Sequence, residues 1–317
     1  MSPSEELTVD LVIPVFNEAG LIAQTHARVC AVVDALPYAF TFIYVNDGSS
    51  DATADDLTAL MQTDKRLRVL TLSRNFGHQA ALTAGLDASR GDAVVTLDAD
   101  GQHPPEMLPQ MLDLIVQGYD IVQGQRADDA RLGHFKKWTS GLFYRLLNFI
   151  SGTRVLPGAA DFRAMSRRAV DALKAMPEYH RFLRGMVSWI GFKSAILLYH
   201  QEERAGGVTK YSFAKMFRLA MDAIFSFSLA PLYVGLSLGG ILLLLALAEM
   251  VYVLSFWVTG RTSSLAPGWS SLMFVILIVG GMLMVLLGFI GVYVGYIFQE
   301  VKRRPIYLIK SDTDGKQ

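Results

Sequence analysis

The sequence contains a single cysteine, Cys30, and no excess of charge of either sign. One cysteine excludes an intrachain disulfide framework and suits a reducing compartment. The 29 basic residues are balanced by 29 acidic ones, so the overall charge gives no indication of a nucleic-acid partner. The first residues are polar and acidic, unlike a signal peptide. With 317 residues, the chain is long enough for one sizeable domain and an appendage.

Two glycine-rich phosphate-binding motifs are also absent. No Gly-x-Gly-x-x-Gly follows the first predicted strand, where Phe16-Asn17-Glu18-Ala19-Gly20 stands instead. This argues against a dinucleotide-dependent oxidoreductase. The pair Gly206-Gly207 precedes Lys210 without the spacing of a Walker loop.

Charged residues are nearly missing from two long stretches in the C-terminal third of the chain. Only Glu249 is charged between positions 223 and 260, and none is charged between 262 and 299. Each stretch exceeds the roughly 20 apolar residues that cross a bilayer core. We therefore predict two transmembrane helices, at about Leu229–Trp257 and Leu272–Phe298.

Basic residues flank these two segments unevenly. The loop between them offers only Arg261, whereas six basic residues stand on the outer flanks: Lys210, Lys215, Arg218, Lys302, Arg303 and Arg304. The positive-inside rule then places both termini in the cytoplasm and the Thr259–Ser270 loop outside. The sequence thus predicts a multi-pass protein of the inner (cell) membrane.

The N-terminal part alternates apolar runs with amphipathic segments. Strands are predicted at Thr8–Pro14, Thr41–Asn46, Arg68–Ser73, Ala93–Asp98 and Asp120–Gly124. Helices are predicted between them, at Ala19–Leu36, Thr53–Thr63, Gln79–Ser89 and Pro105–Gln117. This order is typical of βαβ units around a mostly parallel sheet.

Aromatic residues recur at helical spacing beside basic ones in two further stretches, 135–149 and 211–228. The second leads into the first membrane segment and is predicted to lie at the membrane interface. Packing against the sheet explains the first equally well. The predicted organisation is a cytoplasmic domain (1–208), an interfacial amphipathic helix (209–228), a transmembrane hairpin (229–300) and a cytoplasmic tail (301–317).

Two carboxylates stand at a strand end, in Asp98-Ala99-Asp100-Gly101-Gln102. Alternate side chains of an extended chain point to the same side, so Asp98 and Asp100 are expected to face one site. Carboxylate oxygens suit Mg²⁺ or Mn²⁺. A solvated acidic turn would explain Asp-x-Asp alone. Polar residues follow the other strands as well, and ligands of such sheets bind beyond the carboxyl ends of the strands.

Three motifs together resemble family 2 glycosyltransferases of the GT-A fold: Ile13-Pro14-Val15-Phe16-Asn17-Glu18, Asn46-Asp47-Gly48-Ser49-Ser50-Asp51, and the stretch from Asp98 to Glu106. Two later segments, 161–167 and 204–211, resemble the branch that uses polyprenyl phosphate as acceptor. That branch includes dolichol-phosphate mannose synthases and bacterial undecaprenyl-phosphate glucosyltransferases, and the two apolar segments match the latter best. Asn46 and Gly101 depart from the residues common at those positions.

The resemblance implies a role for each matching residue. The base and ribose of a nucleotide-sugar would be held by Pro14, Phe16, Glu18 and Asp47. The metal bridging its diphosphate would be held by Asp98 and Asp100 with Gln102, and Arg126 would bind phosphate. The phosphate of the acceptor would be bound by Arg204 and Lys210.

The resemblance also places Asp161 at the reacting centre. A phosphate monoester is already largely ionised at neutral pH, since its second pKa is near 6, so deprotonation by Asp161 would contribute little. The residue then orients the sugar, stabilises positive charge or positions the acceptor. A helix cap, or an ion pair with Arg163 or Arg167, is the alternative explanation of this aspartate.

The resemblance implies an inverting transfer of a sugar from a nucleotide-sugar to undecaprenyl phosphate, with UDP-glucose as the first candidate for the donor. Mannose, N-acetylglucosamine and aminoarabinose remain alternatives, and the sequence leaves open whether the protein is a homo-oligomer. A processive polysaccharide synthase would carry a Gln-x-x-Arg-Trp segment, which the sequence lacks. A non-enzymatic scaffold for a flippase would leave the acidic strand ends unexplained.

Overall fold

The structure of the chain, a computed structural model, describes residues 7–127, 159–179, 181–200, 230–260 and 268–315. The chain forms two compact units. The first comprises Met1–Phe149, Thr153–Ser212 and Arg304–Gln317, and the second comprises Ile150–Gly152 and Phe213–Arg303. The predicted interfacial helix and the amphipathic stretch 135–149 lie outside the described residues.

The first unit contains a sheet with eight described strands: β1 (Thr8–Val15), β2 (Ala39–Asn46), β3 (Leu67–Leu72), β4 (Ala93–Thr96), β5 (Ile121–Arg126), β6 (Ala159–Ser166), β7 (Ser194–Tyr199) and β8 (Ile309–Asp314). Their order across the sheet is β7-β5-β6-β4-β1-β2-β3-β8. β6 and β8 run antiparallel to the strands beside them, and the other pairs are parallel.

Helices connect the strands: α1 (Ile22–Val33), α2 (Thr53–Thr63), α3 (His78–Ala88), α4 (Leu108–Val116, after a 3₁₀ turn at Pro105–Met107), α5 (Arg167–Lys174) and α6 (Leu183–Trp189). The central strands are apolar because helices cover the sheet. Val9, Leu11 and Ile13 of β1 are fully buried. A methyl group at Gly85 of α3 would come within 2.2 Å of Val12, so this glycine allows α3 to approach β1 closely.

The predicted α/β fold with a mostly parallel sheet is confirmed. Helix α2 has the predicted bounds, and the five predicted strands differ from the observed ones by a few residues at their ends. The largest consequence is at β4, which ends at Thr96 rather than Asp98. Asp98 and Asp100 therefore lie in the turn beyond the strand, not on extended chain.

The last strand, β8, has no counterpart in the sequence analysis. It lies in the predicted tail and pairs with the edge strand β3. Arg68 of β3 donates to both carboxylate oxygens of Asp312, at 2.9 and 2.7 Å. The Tyr307 hydroxyl donates to Asp87 at 2.8 Å. The chain thus returns to the first unit after the second.

The described part of the second unit is a pair of long helices, α7 (Ala230–Val258) and α8 (Trp269–Lys302). Both are long and apolar enough to cross a membrane, at Leu232–Val258 and Ile278–Lys302. The two predicted apolar helices are therefore confirmed. A methyl group at Gly235 would come within 1.9 Å of Leu286, so the helices touch there. α8 ends at Lys302, and the next residue, Arg303, has a left-handed backbone (φ 48°).

Candidate active site

The loops after β1 and β2 bind each other at the carboxyl edge of the sheet. The backbone N–H of Asn17 donates to Oγ of Ser49 at 3.0 Å, and the N–H of Ser50 donates to Oδ1 of Asn17 at 2.9 Å. The N–H of Glu18 donates to Thr53. Asn17 adopts a left-handed backbone (φ 53°) that turns the chain here. The loops predicted to hold a nucleotide are thus adjacent.

Asp47 joins the loop after β2 to the loop before α3. Its Oδ1 and Oδ2 accept the backbone N–H groups of Phe76 and Gly77, at 2.7 and 2.9 Å. The carboxylate is 3% exposed. Beside it, Gly48 has φ 67°, and a methyl group there would lie 2.4 Å from the backbone carbon of Arg74. Asp47, predicted to bind the nucleotide, holds the segment that leads into His78.

The turn beyond β4 carries the two predicted metal ligands. Ala99 is buried, whereas Asp98 and Asp100 on either side of it are partly exposed. Oδ1 of Asp100 accepts the backbone N–H of Gln102 at 3.1 Å. Gly101 has a left-handed backbone (φ 73°), which glycine adopts without steric cost. This explains why glycine stands here in place of the residue that is common in the family. Asp98 and Asp100 therefore both lie in this turn at the strand end.

His103 lies beneath this turn and fixes its shape. Its Nδ1 accepts the backbone N–H of Asp98 at 3.0 Å, and its ring stacks on Phe162 with 5.0 Å between centroids. Burial lowers the pKa of His103, although Asp98 and Asp100 oppose this effect. The neutral ring therefore carries its proton on Nε2, which lies 3.7 Å from Oδ2 of Asp98.

Asp161 of β6 is buried beneath the same edge and held by cationic side chains. Arg163 donates to its Oδ1 at 2.7 Å, and Arg184 donates to its Oδ2 at 2.9 Å. Gln79 reaches Oδ2 at 3.4 Å. The ion pair with Arg163 is thus present, whereas Arg167 donates to the carbonyl of Gly91 instead.

His78 connects Asp161 to the turn beyond β4. Its Nε2 lies 3.4 Å from Oδ2 of Asp161 and 3.6 Å from Oδ1 of Asp98. Burial alone would lower the pKa of His78, but the hydrogen bond to Asp161 and the charge of Asp98 raise it. Burial alone would raise the pKa of Asp161, but His78, Arg184 and Arg163 hold it well below its usual range. Asp161 is therefore an anion and a weak base.

The other predicted residues lie along the same edge where they are described. Pro14 is buried in β1, Phe16 is 43% exposed just beyond it, and Gln102 is buried under the acidic turn. Arg126 ends β5, opposite Tyr199 of β7, and is exposed. Arg204 and Lys210, predicted to bind the acceptor phosphate, lie outside the described residues.

Sequence analysis did not assign His78, His103 or Arg184 to the site, and it named Arg163 only as an alternative ion-pair partner of Asp161. His78 follows the loop after β3, so its place in a βαβ unit was a usable signal. His103 belongs to the Asp98–Glu106 motif. Arg184 lies on a short helix far along the chain, and no pattern in the sequence indicates that it meets Asp161.

The residues at the acidic turn fit a divalent metal. Asp98 and Asp100 offer partly exposed carboxylates and Gln102 an amide oxygen, and hard oxygen ligands are what Mg²⁺ and Mn²⁺ prefer. The buried imidazole of His103 holds the backbone of Asp98 from below. Such support behind a ligand is typical of metal sites.

Known proteins with similar sequences are glycosyltransferases. An uncharacterized glycosyltransferase of Synechocystis is 38% identical over 303 residues, covering 96% of this chain and 95% of the relative. The bactoprenol glucosyl transferase derived from the SfII prophage of Shigella flexneri is 36% identical over 312 residues, covering 98% and 99%.

Among solved structures, glucosyl-3-phosphoglycerate synthase from Mycobacterium tuberculosis, in complex with Mn²⁺ and uridine-diphosphate-glucose, is 20% identical with a TM-score of 0.46. The match covers 69% of this chain and 77% of that one. The sequence profile of glycosyl transferase family 2 matches residues 10–173. This segment includes most of β1 and all of β2 to β6, and it contains Asp47, His78, Asp98, Asp100, His103, Asp161 and Arg163 but not Arg184. The chain belongs to glycosyl transferase family 2.

Proposed function

We propose that this glycosyltransferase transfers a sugar from a nucleotide-sugar to undecaprenyl phosphate. The first candidate for the sugar is glucose, donated by UDP-glucose. The observation that carries the proposal is the extent of the similarity to the bactoprenol glucosyl transferases. It runs over 98% of this chain and so includes both the sheet and the two apolar helices. An enzyme whose substrates were all water-soluble would not need helices of membrane-spanning length. A lipid-borne acceptor accounts for them.

The return of the chain to its first sheet supports a two-span topology. β3 precedes α7 and α8 in the sequence and β8 follows them, yet the two strands pair. A chain that leaves a sheet and returns to it crosses any membrane an even number of times. Two crossings keep both termini on the side of the catalytic unit, and the basic residues after α8 favour the cytoplasm.

The donor is proposed to lie across the carboxyl edge of the sheet. Pro14, Phe16, Glu18 and Asp47 would bind or shape the nucleoside pocket, and Arg126 would bind phosphate. Asp98, Asp100 and Gln102 would hold Mg²⁺ or Mn²⁺. When bound, the ion neutralises the charge that develops on the leaving diphosphate.

The acceptor is proposed to attack the sugar directly. A phosphate oxygen of the lipid forms a bond to the anomeric carbon while the bond to the nucleoside diphosphate breaks, which inverts that carbon. The acceptor is already ionised, and the pKa of Asp161 is held low by its cationic neighbours. Asp161 therefore orients the sugar or stabilises positive charge on it. Arg204 and Lys210 would bind the acceptor phosphate.

The test is transfer of labelled sugar into an organic-extractable lipid. The purified full chain is given undecaprenyl phosphate, Mn²⁺ and, in parallel, UDP-glucose, UDP-N-acetylglucosamine and GDP-mannose. We expect labelled lipid with UDP-glucose, and loss of the product with excess chelator or in Asp98→Asn. Preference for another donor would change the sugar only. No labelled lipid with any nucleotide-sugar would contradict the proposal and favour a scaffold role.

A further inference from the structure

A second cluster of ligand-type side chains lies apart from the active site, between α1 and the end of α2. His26 and Cys30 are four residues apart on α1, hence on one helix face. Both meet Asp64, the residue after α2. Nε2 of His26 lies 3.3 Å from Sγ of Cys30 and 3.3 Å from Oδ2 of Asp64, and Sγ lies 3.8 Å from the same Oδ2.

We propose that His26, Cys30 and Asp64 bind a zinc ion. Zinc takes nitrogen, sulfur and oxygen ligands at about 2.0–2.3 Å, and a tetrahedron of that size has ligand–ligand separations of about 3.3–3.6 Å. The three observed separations are within about 0.3 Å of this range. The three atoms therefore lie close to the spacing of one face of a zinc tetrahedron, and water would take the fourth position.

The imidazole of His26 is oriented as a metal ligand requires. Its Nδ1 lies 3.2 Å from the hydroxyl of Tyr44, a fully buried residue of β2. Metal-binding imidazoles typically use the second ring nitrogen in such a hydrogen bond, which fixes the ring and directs the other nitrogen to the ion. The ring also meets Phe42 edge-on, at 4.6 Å between centroids. Burial lowers the pKa of His26, so the neutral, ligating form prevails.

Arg66 binds the carboxylate of Asp64 and would compete with the ion for its Oδ2. It donates to Oδ2 of Asp64 at 2.7 Å and to Asp34 at 2.7 Å, and its Nη2 lies 3.5 Å from Sγ of Cys30. These charged groups carry a net charge of minus one while the thiol is protonated. Zinc bound to the thiolate brings the cluster to neutrality.

The zinc ion replaces the thiol proton, which passes to solvent. Burial raises the pKa of Cys30 to about 11, so without metal the side chain is a thiol and a poor nucleophile. The ion would tie α1 to the connection between α2 and β3. Earlier on α1, Thr25 donates to the carbonyl of Ala99, between the two aspartates of the acidic turn, at 2.9 Å.

Cobalt spectroscopy of the metal-free full chain in detergent tests the proposal. Cys30 is the only cysteine, so a near-ultraviolet sulfur-to-cobalt charge-transfer band can arise from no other residue. We expect the intensity of this band to correspond to one Co²⁺ per chain and the band to disappear when Zn²⁺ is added. We also expect a saturable rise in melting temperature with Zn²⁺. Absence of the band in the wild type would overturn the proposal, because the hydrogen-bonded network with Arg66 would then be complete without metal.

Variants separate this site from the active-site metal. Cys30→Ser should lose the band and bind Zn²⁺ at least about tenfold more weakly, and His26→Gln should weaken the band. Asp98→Asn alters only the acidic turn and should keep the band. Equal stabilisation by Zn²⁺ in wild type and Cys30→Ser would contradict the assignment, whatever the activity of the enzyme.

Discussion

Arg163 and Asp161 form an ion pair in which both side chains are 3% exposed and the two atoms in contact are 2.7 Å apart. Because the partners are two residues apart on β6, they lie on the same face of the strand. Arg184 adds a second guanidinium to the carboxylate. A carboxylate surrounded in this way is a fixed negative charge, and that property suits electrostatic stabilisation better than proton transfer.

The first prediction concerns the pH dependence of the reaction. Since the pKa of Asp161 lies below its usual range, the residue is ionised throughout the pH range of an assay and should produce no limb in the rate profile. On the acid side, turnover should fall as the acceptor phosphate becomes protonated, near about pH 6. Asp161→Asn should lower turnover at every pH without changing the shape of the profile. A variant rescued by raising the pH would restore the role of general base.

The same depressed pKa predicts how stability depends on pH. An unfolded aspartate has a pKa of about 3.9, so the stabilisation from Asp161 is present above that value and is lost as the pH falls through the lower folded pKa. The stability gap between wild type and Asp161→Asn should therefore narrow as the pH is lowered from about 5 towards 2. Denaturant titration of both proteins measures it. A gap that widens in acid would contradict the assigned charge.

The second residue to test is His78, which reaches both Asp161 and Asp98. We expect His78→Gln to lower turnover about 10- to 100-fold, as loss of a supporting contact at a metal site does. Affinity for Mn²⁺ should be retained or rise, because a positive charge is removed from beside Asp98. Titrating the rate with Mn²⁺ gives both quantities. Weaker Mn²⁺ binding with normal turnover would show that His78 serves the metal alone.

Gly48→Ala should disturb the donor pocket. The added methyl group would meet backbone atoms of Arg74, so the loops after β2 and β3 must separate and move Asp47. We expect weaker nucleotide binding and lower turnover. Gly20→Ala is the matched control, since Gly20 is also left-handed (φ 79°) but has nothing within 4 Å of the added methyl. Both pay about 1 kcal/mol of backbone strain. Equal losses of nucleotide binding would show that the loop contact is unimportant.

The tail strand should be required for stability. Deleting residues 309–317 exposes the edge of β3, whose unpaired backbone groups favour aggregation. We expect a lower melting temperature and more light scattering on heating. Deleting only Lys316 and Gln317 is the control and should have little effect. Asp312→Asn alone should cost under about 1 kcal/mol, because the pair with Arg68 is partly exposed. If the protein that lacks residues 309–317 had the same melting temperature as the full-length protein, a structural role for β8 would be contradicted.

Arg204→Ala tests the proposed acceptor site. It should raise the KM for undecaprenyl phosphate far more than it weakens nucleotide binding, because the metal and Arg126 are proposed to hold the donor diphosphate. Arg204→Lys should recover only part of the loss, since an ammonium group lacks the two-point fork of a guanidinium. Lipid transfer and nucleotide affinity are measured on the same variants. Equal losses in both would place Arg204 on the donor instead.

Some elements of this fold could be predicted from the sequence and β8 could not, for physical reasons. Strands β1 to β5 and the apolar helices follow from continuous hydrophobic runs, which burial on both faces or a membrane requires. β8 could not be predicted because its sequence, Ile309-Lys310-Ser311-Asp312-Thr313-Asp314, is that of an exposed edge, where polar residues are tolerated. Its place depends on Arg68, far away in sequence.

The candidate site shows the same division. Asp98 and Asp100 could be predicted as candidate ligands because a strand end concentrates ligands, although the turn in which they lie was not predicted. It depends on His103 accepting a backbone N–H, a tertiary contact. Arg184 was missed because the start of α6 is held by tertiary hydrogen bonds, from the N–H of Leu183 to Gln79 and from Arg163 to the carbonyl of Leu183. Such contacts leave no local pattern in the sequence.

The pairing of β3 with β8 also orders events during biosynthesis. Arg68 and Asp312 are 244 positions apart, so the ribosome must complete both long apolar helices before the last strand exists. Until then, the nascent sheet has an open edge at β3. In the proposed two-span topology, the sheet can close only when the chain has brought its end back to the starting side. A protein that failed to insert both helices would then keep that edge exposed, and exposed strand edges are what chaperones and proteases find first.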